Sequence, residues 1–279
     1  MATQNPAIIH PTDFSDRSHS AFTHALRISL AVKCRLYVAH IADRGGASPW
    51  ASFPHVRETL ARWGFCDAGM PTDAVFERLG IEVAKVEIGS HDPVRGLERF
   101  LTNHPSELLV LATHARDGMP RWLAPSIAEA MSRRARTQTL FISGQCTGFV
   151  DSVTGALRLK RILVPVDHAP PPGSAITAIG RLCRALGIVA DIRLLHIGST
   201  APKLSPPKPA DADRWPLELR GGNVLDGILQ VAADMDADLI VMATAGHQGA
   251  LDALRGSTTE RVVRQASCPV LAVPLGEPA

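Results

Sequence analysis

Apolar residues fall in short runs along this chain, and between the runs they recur every three or four positions. Short runs bounded by turn residues read as strands buried on both faces; the wider spacing reads as helices with one buried stripe. Ile8 to Asp13 is such a strand ending in a polar turn, and Ser18 to Lys33 a helix with Phe22, Ala25, Leu26, Ser29 and Leu30 on one face. Arg35 to Ile41 is the next strand. Asp43 to Pro54 reads as loop, His55 to Phe65 as an exposed helix, Glu82 to Ile88 as a strand and Pro93 to Leu101 as a helix. Glu107 to Ala112 and Thr139 to Ile142 are buried strands. After a polar, glycine-containing connector, Ser143 to Leu159, the pattern restarts: strand Arg161 to Asp167, helix Ala175 to Leu186, strand Asp191 to Ile197, then strands Leu239 to Ala243 and Val270 to Val273.

The restart is a repeat. ILVPVD echoes IIHPTD, RLLHI echoes RLYVAHI, DLIVMATAG echoes ELLVLATHA, and Ala112 to Ser143 aligns with Ala243 to Pro274 without a gap. Ser126-Ile127-Ala128-Glu129 and Ser257-Thr258-Thr259-Glu260 are matching capping boxes, the second followed by Val262, Val263 and Ala266 as a buried stripe. The halves differ in the middle, where Pro202 to Pro209 replaces the helix near His55. Units this long and irregular do not make a solenoid; strand and helix alternation implies two tandem α/β domains, 1–150 and 151–279, with mainly parallel sheets.

Composition narrows the function classes. With 279 residues, 46% hydrophobic and 20% charged, the chain holds enough apolar surface for two cores of ordinary size. Lys+Arg at 29 against Asp+Glu at 27 leaves +2, and the local run Arg133, Arg134, Arg136 reads as a solvated helix face, which argues against nucleic-acid binding. Five cysteines without CxxC spacing form no disulfide framework and fit a reducing compartment. The opening MATQNPAIIHPTD lacks signal-peptide design and no apolar run reaches membrane-span length. The expectation is a cytoplasmic protein bound neither to nucleic acid nor to membrane.

In open parallel sheets, ligands settle beyond the carboxyl ends of the strands, where strand order reverses. Two loops per half belong there: one carrying Asp13 or Asp167, and one following the fourth strand. In the second half that later loop holds Gly246, Gly249 and Gly256, which allow close backbone approach, and the N–H groups of Ser257 to Thr259 add a positive helix end suited to phosphate. A carboxylate accepts hydrogen bonds, so Asp167 suits a ribose hydroxyl or an adenine amino group. Together these imply a nucleotide. Structural alternatives stand beside it: Ser257 caps a helix with or without ligand, the glycines serve as a turn, and Asp13 and Asp167 cap the following helices. His40 and His196 end their strands at matching positions and read as packing or hydrogen-bonding residues; with no second His or Cys at ligand spacing, no metal site is expected. His114 and His247 have no visible partner in the sequence. The phosphate-loop, GxGxxG and GxSxG patterns are absent, His196-Ile197-Gly198-Ser199 is a chance likeness to a synthetase signature, and no residue is assigned a catalytic role.

These loops resemble those of a tandem universal stress protein, and the likeness covers nearly the whole chain. Nucleotide-binding members of that family carry Pro-[Thr/Val]-Asp after the first strand and G-x-x-G, nine residues, then G-[ST]. Here Pro165-Val166-Asp167 matches the first element, and Ala243-Thr244-Ala245-Gly246 with Gly256-Ser257 matches the second, its first glycine replaced by alanine. In the first half Pro11-Thr12-Asp13 is retained, but Ala112-Thr113-His114-Ala115 and Pro125-Ser126 have lost both remaining glycines. Pro125 offers no N–H and the Ala115 β-carbon narrows the space for phosphate. The resemblance implies a five-stranded, mainly parallel sheet flanked by helices in each half, of the adenine nucleotide alpha hydrolase-like type. It implies ATP or AMP, with Mg2+ as counter-ion, held by Pro165, Val166, Asp167, Ile197, Ala243, Gly246, Gly249, Gly256, Ser257 and Thr258, with a reduced set, Pro11, Thr12, Asp13 and Ser126, in the first half. It further implies dimers through the last strand, hence an intramolecular pseudo-dimer with Thr139 to Ile142 against Val270 to Val273, besides a homodimer of chains and an unidentified protein partner. The function implied is a regulatory stress-response protein; a nucleotide-independent interaction protein is the alternative, and a slow nucleotide hydrolase the third reading.

Overall fold

The computed structural model describes residues 7–42, 50–113, 137–144, 146, 148–204, 215–244 and 258–275. The first strand, β1 (Ala7–Pro11), is buried throughout and pairs in parallel with β2 (Arg35–Ala42) and β4 (Leu108–Thr113). Helix α1 (Asp16–Val32) starts where Ser15 accepts the Ser18 N–H, and it buries Ala21, Phe22, Ala25 and Leu26. Strand β3 (Glu82–Gly89) lies outside β2, and β5 (Gln138–Ser143) outside β4. The second half repeats this plan with β6 (Arg161–Pro165), β7 (Asp191–Ile197), β8 (Leu217–Arg220), β9 (Leu239–Thr244) and β10 (Val270–Pro274). The sheet order is β3-β2-β1-β4-β5-β10-β9-β6-β7-β8, and all its pairs are parallel except one. That exception joins the halves: β5 and β10 are antiparallel, with Phe141 opposite Val270, Leu140 opposite Leu271 and Thr139 opposite Ala272.

Side-chain alternation divides the core. Ile8, Val38, Val110, Leu140, Ile142, Ile162, Val164, Leu271 and Val273 point to one face, where α1 and α5 (Gly173–Leu186) meet in a cluster that runs through both halves. On the other face the apolar clusters are separate. Ile9, Leu109 and Phe141 pack under α4 (Pro93–Asn103) with Leu97 and Leu101; Leu163, Ile240 and Val270 pack under α6 (Val224–Asp234) and α7 (Thr258–Gln265). In α7 Val262 is buried and Val263 half-buried, and Ala266 just past its end is buried, as the stripe predicts.

Several elements depart from the sequence expectation. Helix α2 (Val56–Arg62) is not an exposed helix, since Val56 and Leu60 are buried in the shared cluster. Helix α3 (Thr72–Leu79) buries only Val75 fully, and β8 is a four-residue edge strand, so neither shows a long apolar pattern. The first strand of the second half stops at Pro165, leaving Val166 and Asp167 in the turn. The connector is not a loose polar linker either. Phe149, Val150 and Leu159 are buried, and Val150 bridges Leu157. Trp63 Nε1 donates to Ser152 O at 3.2 Å and Arg27 Nε to Gly155 O at 3.1 Å. No helix among the described residues is long and apolar enough to cross a membrane.

The connector is anchored on His24. Its Nδ1–H donates to Ser20 O at 2.7 Å, and its bare Nε2 accepts the N–H groups of Phe149 and Val150 at 3.0 and 3.2 Å. Gly148 has φ +70, and a β-carbon there would stand 2.3 Å from His24 Cε1. This arrangement accommodates only neutral imidazole. Burial pushes His24 down to about 4, and does the same to His10, whose Nδ1–H donates to Val110 O at 3.0 Å. Between the unfolded value near 6.5 and the folded value near 4, the unfolded chain binds protons that the native state refuses. Stability therefore falls as pH drops through that window, by about 3 kcal/mol per histidine. Imidazole resonances should show two rings still neutral at pH 5, with the urea unfolding free energy declining below ~6.5; native rings titrating near that value would contradict it.

Candidate functional site

Parallel strands put their carboxyl ends at one edge of the sheet, and β6 is flanked by β9 on one side and β7 on the other. Val166 and Asp167 just past β6, Ile197 at the end of β7 and Ala243 to Thr244 at the end of β9 therefore lie at one edge of the sheet, the switch point of the second half. Ile197, Ala243 and Thr244 are half-buried there. Thr258, the first residue of α7, is also half-buried, and Glu260 is buried and paired with Arg264 one turn on. Gly246, Gly249, Gly256 and Ser257 lie outside the described residues, as do Ala115, Pro125, Ser126, Arg133, Arg134, Arg136, His114 and His247.

The first turn is built the same way in both halves. Thr12 N–H donates to Ala39 O, and Val166 N–H to Leu195 O, each at 2.8 Å. His40 Nδ1 donates to Thr12 O at 2.9 Å, and His196 Nδ1 to Val166 O at 3.0 Å. These are the hydrogen-bonding roles expected for the two histidines. The Val166 N–H and one lone pair of its carbonyl are thereby engaged within the fold, so only the second lone pair is left for a ligand.

Beyond that shared frame the halves diverge. In the first, Asp13 Oδ1 accepts from Ser15 N–H at 3.0 Å and from Ser15 Oγ–H at 2.6 Å, so this carboxylate buttresses the cap of α1. Phe14, at φ 64, stacks on His40 with centroids 4.2 Å apart and meets the edge of Phe53 at 5.1 Å; Trp50 stacks on Phe53 at 5.2 Å. Lys85 Nζ sits 5.9 Å from the Phe53 centroid, and burial lowers its pKa. Phe14, Phe53 and Trp50 thus form an aromatic group on His40 beside the turn that carries Pro11, Thr12 and Asp13.

Among the described residues of the second half, no matching aromatic group stands beside this turn. His168 takes the place of Phe14 and is exposed, and the Asp167 side chain is 56% exposed. Asp167 Oδ1 accepts the His168 N–H at 2.7 Å and lies 3.8 Å from His196 Nδ1. The His168 ring stands perpendicular to that of His196 at 5.4 Å, with its Nε2 bonded to Thr200 O at 3.1 Å. His168 carries no local signal in the sequence. It meets His196 only because β6 and β7 are register neighbours, so the expectation that His196 has no second histidine near it fails in space though it holds along the chain.

The family model for the Universal stress protein family matches residues 5–143 and 208–274. A universal stress protein of Methanocaldococcus jannaschii is 41% identical over 66 residues, a stretch that spans 22% of this chain and 39% of that relative. Among solved structures, a universal stress protein from Archaeoglobus fulgidus superposes with TM-score 0.62 at 18% identity, covering 98% of both chains. A protein of unknown function from Pseudomonas aeruginosa gives 0.57 at 14%, covering 97% of this chain and 92% of its own. At such identities the likeness is one of fold.

Gly198 is the position on which the histidine pair depends. A β-carbon there would lie 2.4 Å from His196 Nε2. Gly198→Ala should displace the buried ring from Val166 O and cost about 1–3 kcal/mol in urea unfolding, with a changed His196 imidazole spectrum as the site-specific readout; an unperturbed spectrum and midpoint would count against this packing.

Proposed function

Because this chain belongs to the universal stress protein family, we propose that it is a cytoplasmic stress-response regulator holding one adenine nucleotide, ATP or AMP, in its second half. The observation that carries this reading is the contrast between two matching aspartates. Asp13 is tied to Ser15 at the cap of α1, whereas the Asp167 side chain is mostly exposed at the carboxyl end of β6, between β7 and β9. In this reading Asp167 accepts from ribose or adenine, and the backbone at Ile197 and the remaining lone pair of Val166 O line the base. The glycine spacing from Gly246 through Gly249 to Gly256, with Ser257 and Thr258, serves the phosphates and their Mg2+. The first half, 1–150, is the unliganded partner of 151–279, and the β5 and β10 ladder supports an intramolecular pseudo-dimer.

The second reading is an interaction protein that works without nucleotide, and the same ladder favours it. Slow hydrolysis of a bound nucleotide is the third, with no residue assigned to it. Equilibrium titration of nucleotide-stripped protein with ATP separates them. The unmodified chain is expected to bind, and Gly256→Pro, which copies the first half and removes an N–H donor to an anion, to bind about tenfold more weakly or worse. Absence of binding by the unmodified chain overturns the nucleotide reading, and turnover by purified protein supports the third.

A further inference from the structure

We propose that His168 is a positioning residue for the nucleoside end of the nucleotide: it ties the turn after β6 to the loop after β7 and so fixes where Asp167 presents its carboxylate. This rests on the reading of the second half as a nucleotide site. The tie is the hydrogen bond that His168 Nε2 donates to Thr200 O at 3.1 Å, between residues 32 positions apart. A carbonyl only accepts, so Nε2 carries the ring proton. Thr200 belongs to a loop that is itself fastened to β8, where the Gly198 N–H donates to Arg220 O at 2.8 Å. His168 in turn holds its neighbour. Its backbone N–H donates to Asp167 Oδ1 at 2.7 Å, which leaves Oδ2 as the oxygen for a ribose hydroxyl or an adenine amino group. A carboxylate on an untied turn would offer that oxygen in many directions, whereas a tied turn offers it in one, so the ordering cost is incurred before the ligand arrives.

The first half has the same turn without the tie. The bonds from Val166 N–H to Leu195 O and from His196 Nδ1 to Val166 O have counterparts at Thr12 and His40, so those two belong to the fold. The bond at 168 does not recur. Phe14 stands at the matching position, a ring with neither donor nor acceptor, and stacks on His40 at 4.2 Å instead. Asp13 Oδ1 is drawn to the N–H and the hydroxyl of Ser15, whereas Ala169 at that place has no hydroxyl to offer. The two residues after the aspartate, Phe-Ser in one half and His-Ala in the other, therefore decide whether the carboxylate buttresses a helix cap or faces a ligand.

The test is equilibrium titration of the nucleotide-stripped full chain with ATP and with AMP, using two variants that separate ring from donor. His168→Phe copies the first half, keeping a ring and removing the donor; His168→Gln removes the ring and keeps an N–H for Thr200 O. His168→Phe is expected to weaken ATP and AMP alike, by about fivefold each, and His168→Gln to stay within about twofold of the unmodified chain, all with unchanged thermal unfolding midpoints. Equal losses mark the nucleoside end, which the two ligands share. In the nucleotide-free chain, nitrogen NMR of the neutral His168 ring is expected to show the Nε2–H tautomer. Unmodified ATP affinity in His168→Phe, a loss in His168→Gln as large as that in His168→Phe, or the opposite tautomer overturns the proposal and leaves the nucleotide reading standing. Absence of ATP binding by the unmodified chain overturns both.

Discussion

Two apolar strands at the edges of two sheets, β5 and β10, face each other here and share one antiparallel ladder. Left unpaired, either edge would present backbone donors and acceptors beside Leu140, Phe141, Leu271 and Ala272, a template for aggregation. Joined, they make one ten-stranded sheet whose outer strands are β3, with Glu82, Lys85 and Glu87, and β8, with Glu218 and Arg220. Charged side chains on both edges, and the short length of β8, resist further pairing. The shared cluster under α1 and α5 then exists only because the ladder brings the two halves to one face.

Within that frame the two matching turns share a backbone and differ in the side chains set upon it. The backbone and the histidine-to-carbonyl bond are the same at Thr12 and Val166. What differs is the next side chain: a phenyl ring at 14 stacks on His40 and meets Phe53, whereas an imidazole at 168 stands edge-on to His196. The carboxylates follow, one recruited into a helix cap and the other left to solvent.

The buried strands and the main helices were legible because their apolar periodicity repeats twice, and the pairing of Thr139 to Ile142 with Val270 to Val273 followed from the family resemblance. Other features leave a weaker trace. Leu217-Glu218-Leu219-Arg220 is too short and mixed to distinguish from loop, and α3 has one fully buried residue. Helix α6 is a regular signal, Asn223 capping Leu225, Ile228 and Val231, that a comparison centred on the loops leaves unread. The docking of Phe149 and the meeting of His168 with His196 depend on tertiary contacts across 125 and 28 positions, which no local spacing encodes. Of the candidate site, Asp167, Ile197 and Ala243 lie at or just past the carboxyl ends of neighbouring strands, while the glycine positions fall outside the described residues.

The anchored connector changes what kind of equilibrium holds the sheet together. Separate subunits joined through a single edge ladder would come apart on dilution. Here the connector from β5 to β6, with Phe149 and Val150 pinned to His24 and its turn held by Trp63 and Arg27, ties the two halves into one chain. Pairing becomes intramolecular, with an effective concentration in the millimolar range or above for a short linker. The ten-stranded sheet is therefore insensitive to how much of the protein a cell makes.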